Sequence, residues 1–126
     1  SDDQLRACGL SGAKTRAVRA IAEAMMAGAL DFDRVAAAHD ADAIAELTAV
    51  KGVGPWTADM YLLFSLRRPD VWPVGDLAVR AAAGRLKRLA HRPEPSEMAE
   101  IGALYAPRRS AAARFLWHFY RHAGLG

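Results

Sequence analysis

The sequence has little cysteine and no long apolar run. Its 126 residues include one cysteine, Cys8, so no disulfide can form within the chain. A single thiol also cannot supply a cysteine-ligated metal site or an iron–sulfur cluster. No apolar run approaches the roughly 20 residues of a membrane-spanning helix. We therefore expect no membrane partner, and we expect a cytoplasmic, nucleoid-associated setting.

Acidic residues are scarce in the second half of the chain. Residues 1–66 carry 6 Lys/Arg against 9 Asp/Glu, whereas residues 67–126 carry 11 against 5. No acid follows Glu100. A basic half favours a polyanionic partner such as nucleic acid. Solvated helix faces would give the same balance, and we interpret the basic group Arg85, Lys87 and Arg88 as surface charge by default.

The sequence shows no sustained alternation of apolar and polar residues, so we predict no sheet. Apolar content of 52% and charged content of 25% are ordinary for a globular protein. We predict an all-α helical bundle in a single domain, residues 1–126. Helical spacing and capping signals place helices at residues 2–8, 11–27, 32–38, 41–49, 55–67, 76–90, 97–105 and 110–124.

Two glycines one residue apart interrupt the middle of the chain. Gly52 and Gly54 separate an apolar run that ends at Val50 from one that begins at Pro55. Glycine at such positions indicates positive φ or close approach by a partner, and proline suits the first turn of a helix. Free N–H groups at that helix start favour a phosphate. We therefore predict a helix–hairpin–helix motif at about residues 41–67 that grips nucleic acid.

Residues 68–75 contain two prolines and a glycine, which exclude a continuous helix. Fully extended, these eight residues span at most about 26–29 Å. That length can return Asp76 to the helix that follows the hairpin, on the same side of a cleft as Trp56. A carboxylate there could stabilise positive charge or orient water. An aspartate before a helix is most often an ordinary N-cap, so these residues permit the catalytic interpretation without requiring it.

Three segments together resemble one family. Residues Leu47 to Ala58 resemble the helix–hairpin–helix of the base-excision DNA glycosylases. Val74 to Arg80 resembles the segment that carries their catalytic aspartate. Pro107 to Ser110, with Trp117 and Tyr120, resembles the closing helix of the bacterial inducible 3-methyladenine DNA glycosylases. The resemblance implies that the chain is the C-terminal portion of a DNA glycosylase fold.

The resemblance also implies the chemistry of the site. Asp76 takes the place of the catalytic carboxylate. Trp56 stands where strand-cleaving members carry a lysine nucleophile, so the resemblance implies a monofunctional enzyme, and it implies no iron–sulfur cluster. Because aromatic rings attract a cationic purine, we predict that Trp56, Tyr61 and Trp72 line the base pocket. We interpret Trp117 as a packing residue.

DNA and cation contacts are expected at the hairpin. The predicted backbone-binding residues for damaged double-stranded DNA are Lys51, Gly52, Val53, Gly54 and Thr57. Such contacts position a strand without reading its sequence. Members of the family often hold a monovalent cation, Na⁺ or K⁺, with hairpin carbonyls, which by position here belong to Thr48, Val50 and Val53.

Two functions follow from these predictions. The first is a monofunctional DNA glycosylase that hydrolyses the N-glycosidic bond of alkylated purines. The second is a non-catalytic helix–hairpin–helix module that binds DNA without sequence preference. Asp76 at its spacing separates them, because a binding module does not need it. In the family the base pocket lies between two helical halves, and the earlier half is not in this sequence, so we interpret the chain as a C-terminal fragment.

Overall fold

The structure, a computed structural model, describes residues 1–125, which form α-helices and one π-helical segment and contain no strand. The prediction of an all-α fold is confirmed. The chain divides into two compact units, of which the first ends at Ala58 and the second begins at Asp59. The elements are α1 (Asp2–Ala7), α2 (Gly12–Met26), α3 (Phe32–Ala37), α4 (Asp40–Thr48), α5 (Pro55–Met60), the π-helical segment (Tyr61–Ser65), α6 (Leu77–Leu86), α7 (Pro95–Ala103) and α8 (Arg109–His122).

Side-chain caps start the first three helices, α1 to α3. Ser11 accepts a hydrogen bond from the N–H of Lys14 at 3.3 Å and begins α2 as predicted. Asp31 caps α3 in the same way, because its side chain accepts the N–H groups of Asp33 and Arg34. Gly28 follows the end of α2 with φ of 74°, a conformation that glycine adopts at little cost. These local signals explain why the helix ends could be predicted closely.

The start of α7 differs from the prediction. The sequence predicts a helix that begins at residue 97 and would make Ser96 its N-cap, but Glu94 holds that position and Pro95 is the first helical residue. Glu94 and Glu97 form a capping box, in which the Glu97 carboxylate accepts the Glu94 N–H at 3.2 Å. Because proline suits the first turn of a helix, the start at Pro95 satisfies the backbone better than one at Ser96.

The helix after the hairpin also differs from the prediction of one α-helix to residue 67. It is α-helical to Met60 and then π-helical over Tyr61–Ser65. The N–H of Leu66 donates to the carbonyl of Tyr61 at 3.0 Å, five residues earlier. Apolar spacing does not distinguish an α-turn from a single π-turn, and π-turns are frequent at functional sites.

The first unit is built around α3 and α4. Its buried apolar side chains are Leu30, Val35, Ala43, Leu47 and Val50. An ion pair closes the edge of this core. The guanidinium of Arg34 donates to the carboxylate of Glu46 at 2.7 Å, and this hydrogen bond holds the pKa of Glu46 below its usual value.

The second unit is built around α6 and α8, which pack against each other. Small residues, Ala82 and Ala83 on α6 and Ala113 on α8, are buried in it and allow the two backbones to approach. Larger buried side chains fill the space around them: Leu62, Leu63, Val79, Met98 and Leu116. This core fixes the position of the start of α6 relative to α8.

The connecting segment 68–75 is held by the first turn of α8. The buried hydroxyl of Ser110 donates to the carbonyl of Arg68 at 2.6 Å and accepts the N–H of Val71 at 2.8 Å. Beside it, the guanidinium of Arg109 donates to both carboxylate oxygens of Asp70 at 2.8 and 2.9 Å. Because the segment ends at Asp76, these bonds constrain where Asp76 lies.

No helix within residues 1–125 is long and apolar enough to cross a membrane.

We predict that Ser110→Ala destabilises the protein by about 2 kcal/mol, because it leaves the buried N–H of Val71 without its acceptor and removes the bond to the Arg68 carbonyl. Urea unfolding followed by circular dichroism measures this change. The control is Ser96→Ala, which removes an exposed hydroxyl of α7 and should change stability by less than about 0.5 kcal/mol. Equal effects of the two substitutions would contradict the role given to Ser110.

Candidate active site

Asp76 is a buried carboxylate at the start of α6, with only 6% of the residue exposed. Its Oδ1 atom accepts the N–H of Val79 at 2.9 Å, which makes it the N-cap of α6. The same oxygen accepts the indole N–H of Trp117 at 3.1 Å. One oxygen of the carboxylate is therefore held by two donors from two different helices.

A cleft of about 470 Å³ adjoins this carboxylate. Its lining comes from three parts of the second unit: the helix after the hairpin, the start of α6 and one face of α8. The lining residues are Met60, Phe64, Asp76, Arg114, Trp117 and Arg121. The predicted return of Asp76 to the helix after the hairpin is thus seen at Met60 and Phe64.

The cleft has an aromatic wall backed by an arginine. The rings of Phe64 and Trp117 lie 5.4 Å apart between centroids, and the Arg114 guanidinium lies 5.1 Å from the Phe64 centroid. Arg114 also donates to the carbonyl of Leu63 at 2.9 Å, which fixes its orientation. The three cleft residues of α8 are Arg114, Trp117 and Arg121. They are three and four positions apart, so they share one helix face.

This arrangement is suited to stabilising positive charge beside an aromatic surface. A preorganised carboxylate requires no reorganisation when charge develops next to it. An aromatic face attracts a flat, electron-poor ring. Among residues 1–125, no group of three or more His, Cys, Asp or Glu is placed to hold a metal ion.

The hairpin in the first unit uses its two glycines differently. Gly52 has φ of 90°, and a Cβ on it would lie 3.3 Å from the Cβ of Ala17. Gly54 has no positive φ, and a Cβ there would meet no atom within 4 Å. Gly52 is therefore required by the fold itself, whereas the fold leaves Gly54 open to solvent or to a partner.

One backbone N–H group of the hairpin is used within the turn, and others are not. The N–H of Val53 donates to the carbonyl of Val50 at 3.0 Å and closes the turn. The N–H of Val53 is therefore already used within the turn, and the DNA-backbone contact predicted for Val53 stays a prediction. Among residues 1–125, the N–H groups of Gly52, Gly54 and Thr57 have no partner.

One tryptophan predicted for the pocket, Trp72, and one predicted to pack, Trp117, have the opposite surroundings in the structure. Trp72 is not a pocket residue: its ring is buried, packs on Gly102 and donates to the carbonyl of Met98 at 2.6 Å. Trp117, interpreted as packing, lines the cleft instead. Arg114 and Arg121 flank Trp117 on its helix face. Arginines at this spacing already indicated in the sequence that this face of α8 is not buried.

The remaining predicted residues lie on the helix after the hairpin or in the hairpin itself. Trp56 is 51% exposed in the first turn of α5, and Tyr61 is half-buried in the π-helical segment. Lys51 is exposed in the turn. The pocket role of Trp56 and Tyr61 stays a prediction.

The chain matches the HhH-GPD superfamily of base excision DNA repair proteins over residues 1–107. It belongs to this superfamily. The helix–hairpin–helix and the buried Asp76 described above are thus parts of a glycosylase fold, and the predicted family is confirmed.

Similar proteins in this superfamily are 3-methyladenine glycosylases. DNA-3-methyladenine glycosylase 1 of Schizosaccharomyces pombe is 39% identical over 90% of this chain, and the match covers 50% of that protein. DNA-3-methyladenine glycosylase of Bacillus subtilis is 29% identical over 82% of this chain and 34% of its own length. The chain spans about half the length, or less, of the curated relatives it matches.

Solved structures show the same fold. The S. pombe enzyme Mag1, solved in complex with abasic DNA, has a TM-score of 0.84 and 37% identity, and the match covers 92% of this chain and 57% of that one. The enzyme from Archaeoglobus fulgidus has a TM-score of 0.83 and 27% identity, covering 100% of this chain and 42% of that one.

Asp59 adjoins the cleft residue Met60 and is partly buried. Burial raises the pKa of its carboxyl to about 6. A raised pKa favours the neutral form in the folded state, so ionisation destabilises the fold. Below pH 4 the carboxyl is neutral in both the folded and the unfolded state and does not lower stability. As the pH rises through 6, it ionises in the folded state and the free energy of unfolding falls.

We predict that Asp59→Asn raises the free energy of unfolding at pH 7.5 by about 1 kcal/mol, a value discounted because the side chain is partly in water. The difference from the unsubstituted protein should vanish at pH 4. Urea unfolding across this pH range measures it. Glu100→Gln, an exposed substitution with the same charge change, should show no such pH dependence; a parallel gain in both variants would refute the assignment.

Proposed function

We propose that this chain is the helix–hairpin–helix and aspartate-bearing part of a monofunctional DNA glycosylase that releases alkylated purines of the 3-methyladenine type. The observation that carries the proposal is the Asp76 carboxylate. It is buried, it is held through Oδ1 by Val79 and Trp117, and it adjoins a cleft with an aromatic wall. A helix cap alone would require neither the indole donor nor the cleft.

The reaction needs little acid catalysis when the base is already cationic. The bond between C1′ and the base nitrogen breaks, both electrons leave with the base, and the base departs neutral. The sugar then carries positive charge, which the Asp76 carboxylate stabilises. Water adds to C1′ and loses a proton, and the carboxylate is placed to orient that water.

Aromatic side chains provide surfaces for an extruded base. Base-excision enzymes take the target nucleotide out of the stack before they act on it. The Phe64 and Trp117 rings in the cleft suit stacking with a cationic purine. The half-exposed ring of Trp56 is a further stacking surface. Trp56 stands where strand-cleaving members carry lysine, which supports base release without strand cleavage.

The hairpin is the proposed grip on the DNA backbone. The unpaired N–H groups of Gly52, Gly54 and Thr57 are donors for phosphate oxygens, and Lys51 adds positive charge. These contacts position double-stranded DNA without reading its sequence. A DNA repair protein of this kind fits the cytoplasmic, nucleoid-associated setting expected from the sequence.

We further propose that the hairpin carbonyls of Thr48, Val50 and Val53 hold a monovalent cation. Neutral carbonyl oxygens without a carboxylate suit Na⁺ or K⁺ better than Mg²⁺ or Zn²⁺. The carbonyl of Val50 accepts one N–H and retains a second lone pair. The Thr48 hydroxyl donates to the carbonyl of Ile44 at 2.7 Å, so the hydroxyl is not counted among the ligands. Such an ion would brace the turn.

We predict that Asp76→Asn lowers the rate of 3-methyladenine release from alkylated duplex DNA by about 100-fold or more. Asparagine caps helices as well as aspartate does, so the thermal midpoint should change little. Single-turnover release of the base by this chain, followed by chromatography, measures the rate.

The control for this substitution is Asp31→Asn, which changes another N-cap aspartate, at the start of α3. It should leave the rate of base release unchanged. Equal rates for the original chain and Asp76→Asn would exclude Asp76 as the catalytic carboxylate. If neither releases base while both bind duplex DNA, the non-catalytic binding module is the correct function for this chain, which spans half of its relatives' length.

We predict that Gly54→Ala weakens duplex binding about tenfold without lowering stability. The added methyl meets no atom of the chain, so it acts only on a backbone that approaches from outside. Fluorescence anisotropy with a labelled duplex measures the binding.

Gly12→Ala is the matched control, since its methyl would meet only the flexible end of Arg16 at 3.4 Å. Its affinity for the duplex should equal that of the unsubstituted chain. Unchanged affinity in Gly54→Ala as well would remove the hairpin from the DNA interface.

A further inference from the structure

We propose that the corner where α6 turns into α7, residues 85–92, is a second contact for the phosphate backbone of duplex DNA, separate from the hairpin. The proposal rests on the proposed function in one respect only, that the chain binds duplex DNA. We refer to residues 85–92 as the basic corner.

The basic corner concentrates positive charge. Its eight residues include Arg85, Lys87, Arg88, His91 and Arg92 and contain no acid. All five side chains are exposed. They lie at the C-terminal end of α6, where backbone carbonyls favour nearby cations. A surface of this density attracts polyanions over a distance set by the ionic strength.

Nearby carboxylates do not neutralise most of this charge. Glu94 pairs with Arg80 at 3.4 Å, and Glu97 accepts from the His91 ring at 3.1 Å. Glu97 also accepts the backbone N–H of Glu94 at 3.2 Å, so it is engaged at the start of α7. Among residues 1–125, the cations at positions 85, 87, 88 and 92 form no ion pair.

The shape of the basic corner is concave and held in place. Residues 91–93, which lead toward α7, pack on Gly84. A Cβ at Gly84 would lie 3.0 Å from Pro93 and 3.1 Å from the carbonyl of His91. Arg80 donates to the carbonyl of Pro93 at 2.8 Å from the other side. A depression of about 260 Å³ results, and Arg85, His91 and Arg92 contribute to its lining. These side chains therefore line an open depression that a phosphate group can approach.

Arg88 adopts a conformation that its side chain does not favour. Its φ is 55°, at the position that follows the last turn of α6 and where glycine is usual. The N–H of Leu89 donates to the carbonyl of Gly84 at 2.9 Å, as in a glycine-ended helix. Glycine adopts this left-handed backbone more easily than arginine does, so replacing Arg88 with glycine removes the charge without straining the turn.

The basic corner lies at the opposite end of α6 from Asp76. α6 has ten residues, so the two ends are about 15 Å apart. One phosphate cannot occupy both places. The contact proposed here thus involves a part of the DNA backbone distinct from the nucleotide beside Asp76, and it adds affinity that is independent of sequence.

The deciding substitution is Arg88→Gly, tested in this chain with a labelled 20-base-pair duplex at several salt concentrations. We expect weaker binding by about fivefold and a plot of log affinity against log salt that is shallower by about 0.9, the value for one lost phosphate contact. We also expect an equal or higher thermal midpoint, because glycine relieves the backbone. A residue with only a structural role would not separate stability from binding in this way.

Arg67→Gly is the matched control. Arg67 is also an arginine with positive φ, 53°, and is also exposed. It should gain stability likewise and keep the salt dependence of the original chain. A triple variant, Arg85→Ala with Arg88→Gly and Arg92→Ala, should flatten the salt dependence by two to three times the single effect.

Independence from the hairpin is tested by combining Arg88→Gly with Gly54→Ala. Two separate contacts predict that the two losses of affinity multiply. An unchanged salt dependence in the triple variant, or equal losses in Arg67→Gly and Arg88→Gly, would overturn the second contact while leaving the proposed function intact. Failure of the unsubstituted chain to bind the duplex would overturn both.

Discussion

The two hydrogen bonds accepted by Oδ1 of Asp76 are the interaction on which the second unit depends. One comes from the backbone of α6 and the other from the Trp117 indole on α8. A single oxygen of the carboxylate therefore caps the start of α6 and links α6 to α8. Because one oxygen accepts both donors, the carboxylate is fixed against both helices at the edge of the cleft.

The helix caps of this fold could be predicted from the sequence, whereas the positions of Trp72 and Trp117, which depend on tertiary packing, could not. Ser11 and Asp31 act on the next three residues, so their capping depends on nothing distant. Trp72 and Trp117 could not be assigned by their type, because both rings have an N–H donor that must be satisfied. Trp72 satisfies it at Met98, inside the core, and Trp117 at Asp76, beside the cleft. Only the packing of α6 against α8 decides between these positions.

The return of the chain to the cleft shows what sequence length can and cannot establish. Eight residues were long enough to bring Asp76 back to the helix after the hairpin. Length did not reveal what holds the segment, which is the buried Ser110 hydroxyl with bonds to Arg68 and Val71. A serine near a proline predicts a helix start and nothing about a partner 39 residues away. Long-range polar contacts of this kind have no signature in a single sequence.

The hairpin glycines illustrate how one motif combines two constraints. Gly52 is fixed by its own chain, since positive φ and the nearby Ala17 exclude a larger residue. Gly54 is free of both constraints, and it lies beside N–H groups at the start of α5 that have no partner within residues 1–125. A donor that the chain does not satisfy is satisfied by solvent or by a ligand. Since phosphate oxygens are strong acceptors and Lys51 places positive charge beside these donors, the physical chemistry of the turn favours an anion there.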